Sequence, residues 1–239
     1  MFIIYFLTFL LVSNTMQAQI NGGRNQGLDA KQQHIVPIAT FTAKGDLPQL
    51  NQTLHKALDA GLTINEAKEV LVHLYAYCGF PRSLQGIKTL MAVVDARKTK
   101  GIIDKVGKGA TPVSDSGSKY ERGKKVLESL TGRPETSPKT GYAAFSPEIE
   151  IFLKEHLFAD LFTRDIISYA DREIATISAL INLGGVEPMM QSHMGIALNI
   201  GITEAGLMQI ISLIDAHGGK KEAEVAKQVL AIVINSRKK

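Results

Sequence analysis

Among the side chains able to move a proton near neutral pH, His193 stands apart. It lies in GGVEPMMQSHMGIALNIGITE, Gly184 to Glu204, amid Met189, Met190, Met194 and Ile196. An imidazole near its ordinary pKa both gives and takes protons, which suits general acid–base chemistry. The competing reading is a packed histidine whose nitrogens are satisfied by neighbours. Upstream, Asp171-Arg172-Glu173 offers two acids and a planar guanidinium that matches a substrate carboxylate, although such a triplet also complements the dipole of a helix start. Glu187, one residue before Pro188, and His217, within DAHGG, are further candidate substrate contacts. Their local alternatives are a helix-start acid and a helix-end cation.

Other chemistries lack residues. His34, His55 and His73 show no i, i+4 pairing and no Cys or Asp at ligand spacing, so no metal site is expected. A lone cysteine, Cys78, leaves no intrachain disulfide and no cysteine cluster. There is no G-x-S-x-G elbow, no phosphate loop and no dinucleotide fingerprint, and no cofactor is expected. The net charge of +4 is spread over short runs and tryptophan is absent, so the basic stripe with interleaved aromatics that nucleic acid needs is missing. At 239 residues and 45% hydrophobic content the chain can build a real core.

The elements that must place these residues read as helices. Aligned with itself at an offset of 140, Gly45–Val94 lies over Gly185–Ile234 without a gap, matching Pro48 to Pro188, Gly61 to Gly201, Thr63 to Thr203 and Gly79 to Gly219. The repeated unit is roughly 60 to 65 residues long. In the second copy Arg172–Leu183 buries one apolar face and Gly184-Gly185 ends it. A helix follows from Glu187 to Ile200, and Thr203 caps another through Ala216. A fourth reaches about Asn235, with a first-copy counterpart starting at Pro81. In the first copy Thr63 and Glu66 form a capping box. Glu173 and His193 fall toward opposite ends of their helix pair, so they meet only if the Gly-Gly turn tilts the helices. Between the copies, residues 98–118 read as a flexible linker. Further helices are expected over Lys119–Gly132 and from Ser146, as cap, with Pro147 at the first position. Residues 1–19 hold an apolar run, Phe2 to Val12, shorter than the ~20 residues a span needs but suited to a signal peptide. Export to the periplasm or medium is expected, without stable membrane insertion after cleavage; an amino-terminal anchor is the alternative.

EPMMQSHMGIALNIGITE, the Tyr77-Cys78-Gly79-Phe80-Pro81 turn, YERGKKVLESLTG and FTRDIISYADREIATISAL together resemble the carboxymuconolactone decarboxylase family, which includes the alkylhydroperoxidase D-like proteins. Residues 119–239 are similar to a near-complete protomer and 28–97 to a shortened one. The resemblance implies an all-α fold of tandem helical repeats packed as a pseudo-dimer, assembling as a homo-oligomer, by analogy a trimer. It implies cofactor-free decarboxylation or a lactone or enol rearrangement of a small organic acid or lactone. His193 would transfer the proton, Glu173 orient it and Arg172 hold the substrate acid. Redox members carry C-x-x-C-x-x-x-H; here Val186, Met189 and His193 occupy those columns, so disulfide cycling is ruled out there. In the first copy the columns hold Asp46, Gln49 and Thr53, and only the second half is expected to be catalytic. The alternatives are a non-catalytic binding or assembly protein that kept the fold, and a thiol-dependent antioxidant relying on Cys78.

Overall fold

The computed structural model describes residues 26–113 and 117–238, and the secondary structure among them is entirely helical. The expected signal peptide lies outside the described residues. No helix among the described residues is long and apolar enough to cross a membrane. The first four helices are α1 (Ala30–Lys44), α2 (Leu47–Asp59), α3 (Ile64–His73) and α4 (Tyr75–Thr99). Then come α5 (Lys119–Thr131), α6 (Gly141–Phe145) and α7 (Pro147–Phe152), which runs into a π-helical stretch, Leu153–Leu161. The last four are α8 (Tyr169–Leu183), α9 (Glu187–Asn199), α10 (Glu204–Ala216) and α11 (Lys220–Arg237).

Local chemistry explains most boundaries. Thr63 and Glu66 close the capping box that opens α3, and Thr203 accepts from Gly206 N at 3.0 Å to open α10. Ser168 and Asp171 form a further box, which starts α8 three residues before the expected Arg172. Ser146 differs from expectation: its hydroxyl bonds Glu148 at 3.1 Å and caps no backbone N–H, so Pro147 and the first-turn acids begin α7. Helix α4 starts earlier than Pro81, with a turn from Tyr75, and bends at Gly79, whose φ of 75° is open to glycine at little cost.

Helices α1 and α8 form the centre. Every residue of α1 from Ile35 to Ala43 is buried, as is every residue of α8 from Arg172 to Ile181, the pattern of a helix enclosed on all sides. The two pack along each other. Around them the same packings recur: α1 on α2, α2 on α4 and α3 on α4 in the first set, α8 on α9, α9 on α11 and α10 on α11 in the last. The sets also cross, with α10 touching α1, and α3 and α4 touching α8. Helix α5 and the π-helical stretch make a second apolar cluster around Leu130, Phe158 and Phe162, reaching Tyr75 and Tyr77 of the first set. The described residues of the connector after α4 have no regular structure but are tied down. Asp104 takes both Nε and Nη2 of Arg97 at 2.8 Å, Ile64 and Asn65 donate to Lys105 and Val106, and Asp165 accepts from Thr111 N.

One ion pair inside this core joins the two sets. Glu69 of α3 and Arg172 of α8 have no exposed surface, and Arg172 Nη2 donates to Glu69 Oε1 at 2.8 Å. Arg164 adds a fork to the same carboxylate, at 2.9 Å from Nε and 2.9 Å from Nη2. Removing one member of a buried pair leaves the other charge uncompensated, which costs about 3–5 kcal/mol. Glu69→Ala is expected to lower unfolding free energy by about that amount in urea titrations, whereas Lys31→Ala, which breaks an exposed pair with Glu66, lowers it by less than about 1 kcal/mol.

Candidate active site

Helices α8 and α9 are joined through Gly184 and Gly185, both at positive φ. Glu173 lies eleven residues before the first glycine and His193 eight after the second. At about 1.5 Å rise per residue they stand at similar heights above the turn, so an ordinary hairpin brings them together without a special tilt. His193 Nδ1 lies 2.8 Å from Glu173 Oε2. The Glu173 side chain is fully enclosed while that of His193 keeps 15% of its surface exposed. A carboxylate only accepts, so the imidazole proton sits on Nδ1 and the Nε2 lone pair is left for chemistry.

The rest of the site comes from the first set of helices. The Tyr77 ring meets His193 edge-on, centroids 5.5 Å apart, and lies 5.3 Å from His73. His73, fully buried, faces Arg172 Nη1 at 3.3 Å through Nδ1 and Thr176 Oγ1 at 2.9 Å through Nε2. A guanidinium only donates, so Nδ1 accepts and Nε2 carries the hydrogen given to Thr176. Burial first, then the charges of Arg172 and His193, hold the His73 pKa well below its ordinary value. His73 is thus a neutral brace. Glu69, His73, Tyr77, Arg164 and Thr176 were not singled out for this site from the sequence; the available signal was an acid and a histidine, Glu69 and His73, four residues apart on one helix.

The other candidate residues lie elsewhere or are occupied. Arg172 is enclosed, spends Nη2 on Glu69 and on Arg164 O at 2.7 Å, and lies over the Phe162 ring. It braces the interior and presents no open fork to a substrate acid. Glu187 accepts from Gly185 N at 3.2 Å and stabilises the turn. His217 ends α10 against Phe41, ring centroids 5.4 Å apart. Burial, then Lys56 and Lys44, lower its pKa, which disfavours a helix-end cation. Cys78 has its thiol pushed up to about 11 by burial, against the pull of Arg82, so almost none is thiolate at neutral pH. A groove of about 920 Å³, lined by Arg133, Gln191, Asn199 and Arg237, runs along α9 on residues 188, 191, 192, 195, 196 and 199, a face centred away from His193.

Comparison with known proteins bears on the all-helical fold and on the first set of helices. Residues 11–90 match the model of the carboxymuconolactone decarboxylase family. Among the described residues this match covers α1 to α3 and α4 as far as Leu90, including the Tyr77-to-Pro81 turn. The chain is similar, at 27% identity over 78 residues, to an uncharacterized protein of Methanocaldococcus jannaschii, covering 33% of this chain and 71% of the other. The fold is similar to the crystal structure of a candidate gamma-carboxymuconolactone decarboxylase subunit from Burkholderia xenovorans LB400. The TM-score is 0.52 and the identity 20%, over 87% of this chain and 80% of that one. The chain is thus similar to the carboxymuconolactone decarboxylase family over residues 11–90 and shares the fold of the solved neighbour.

The neutral burial of His73 has a pH signature. The unfolded chain takes a proton there as pH falls below 6.5, the ordinary value; the folded chain does not until lower pH. Stability is therefore complete above pH 6.5 and falls below it, by up to about 1.4 kcal/mol per unit for one group. His34 and His217, also lowered by burial and by lysines, add to the slope. Unfolding midpoints between pH 7 and 5 are expected to fall steeply in the wild type and less steeply in His73→Gln.

Proposed function

We propose that this protein is a cofactor-free acid–base enzyme that decarboxylates, or rearranges the lactone or enol form of, a small organic acid. The Glu173–His193 hydrogen bond carries the reading: an enclosed carboxylate fixes the tautomer and ring plane of a partly exposed histidine, as a general base or acid requires. In decarboxylation the bond from carbon to carboxylate breaks and CO₂ leaves. The electron pair passes into a conjugated carbonyl as an enolate, and protonated His193 gives its Nε2 proton to carbon. Glu173 stabilises the imidazolium formed when His193 regains that proton from water. Because Arg172 is bound to Glu69, no free guanidinium faces Glu173, which favours a neutral lactone or enol group beside it over a second carboxylate.

The rival, a binding protein that kept the fold, is favoured by one observation: a groove of about 920 Å³ lies along a face of α9 centred away from His193. Strongly exposed Phe145 and Phe152 belong to a surface suited to a homo-oligomer contact in either case.

A panel of unsaturated lactone acids and keto acids, assayed for CO₂ release and for ultraviolet change, tests the proposal. Wild-type turnover is expected; His193→Gln removes it, and Glu173→Gln lowers kcat by about 10²-fold or more. Full activity in His193→Gln would refute the assignment, and a wild type inert on the whole panel would favour the binding reading. Cys78→Ser is expected to keep full activity; its loss would restore the thiol-dependent alternative.

A further inference from the structure

Tyr77 is not accounted for by packing alone. Its ring is half-buried between His193 and His73, yet its hydroxyl oxygen is sealed from solvent and makes no hydrogen bond with any described residue. Glu173 Oε1, the oxygen not used by His193, is sealed and unpaired in the same way. The polar groups acting on the Tyr77 hydroxyl are Glu173, Thr176 and Arg172. A buried donor and a buried acceptor, both unpaired and next to a histidine with a free Nε2, are a costly arrangement unless something else pairs with them. Arg172 only donates; Thr176 already takes one hydrogen from His73 and, although it lies near the phenol, makes no hydrogen bond of normal geometry with it. Burial, followed by the Glu173 charge, raises the Tyr77 pKa far above the ordinary phenol value. The group therefore keeps its proton at every working pH and always has a hydrogen to donate.

We propose that Tyr77, supplied by the first set of helices, completes the His193–Glu173 site as its hydrogen-bond donor to negative oxygen. When the site is empty, its O–H serves Glu173 Oε1 through one bridging water. When the site is filled, it serves the oxygen on which the enolate charge develops, which makes it an oxyanion donor. The filled-state role rests on the proposed acid–base reaction; the empty-state role does not. No bond to the phenol oxygen forms or breaks.

The experiment reads the two roles separately. Diethyl pyrocarbonate modifies only neutral imidazole, and its rate at His193, followed by peptide mass spectrometry against pH, reports how firmly Glu173 holds the histidine's proton. In Tyr77→Phe, which keeps the ring contacts, Glu173 loses a donor and binds the imidazolium more strongly. The midpoint for His193 is expected to move up by about one pH unit, the scale of one hydrogen bond to a charged group. In a Glu173→Gln background the same substitution is expected to move it far less. An unmoved midpoint in Tyr77→Phe, or an equal shift in both backgrounds, overturns the proposal whether or not a substrate is found. With a substrate that the wild type turns over, Tyr77→Phe is expected to lower kcat by about 10²-fold with KM changed less than about twofold. An unchanged kcat overturns the filled-state role alone.

Discussion

The ion pair between Glu69 and Arg172 is the constraint on which the rest of the structure depends. It is made inside the protein, from residues 103 positions apart in the chain, on α3 and α8, and it links the first set of helices to the last. Desolvating two charges is expensive, and they are retained in such a place only with good geometry and every remaining hydrogen-bond site engaged. The conditions are nearly met. Glu69 takes hydrogens from both Arg172 and Arg164, and Arg172 also donates to Arg164 O and to His73. Only Arg172 Nε is buried without a partner. Fixing Arg172 fixes the first turn of α8, and with it the neighbouring Glu173.

From that anchor the site follows in steps. His73 is held neutral with its hydrogen on Nε2, so it steers Thr176 without adding a charge. Glu173 then faces His193 with one oxygen and keeps the other free. The hairpin glycines set the height at which α9 presents its histidine. The first set, in which the columns matching the C-x-x-C-x-x-x-H element hold Asp46, Gln49 and Thr53, places Tyr77 and His73 around the histidine of the last. A search for chemistry along those aligned columns alone overlooks this contribution, because it comes from a different part of the unit.

Much of the helical frame was legible in the sequence, since its signals are local. A glycine at positive φ, a Thr-x-x-Glu box or a proline in a first turn acts over three or four residues, and the helices around Thr63, Gly184, Thr203 and Gly219 stand close to where those signals put them. His193 and Glu173 are legible as candidates, but their meeting depends on height above the shared turn, which separation along the chain does not give. Arg172 looked like a substrate clamp because its partner, Glu69, lies in a distant helix. Tyr77 and His73 escaped for the same reason: a side chain's partners across the core leave no mark on the spacing around it. The family match to residues 11–90 and the fold similarity agree with the class, while the chemistry rests on the geometry around His193.

The tautomer of His193 tests that account most directly. Long-range nitrogen–proton correlation spectra of the ¹⁵N-histidine protein, at a pH where the ring is neutral, separate protonated from bare ring nitrogens. A working base held by Glu173 shows its hydrogen on Nδ1 and a bare Nε2, and Glu173→Gln weakens that preference. A neutral His193 carrying its hydrogen on Nε2 in the wild type would contradict the account.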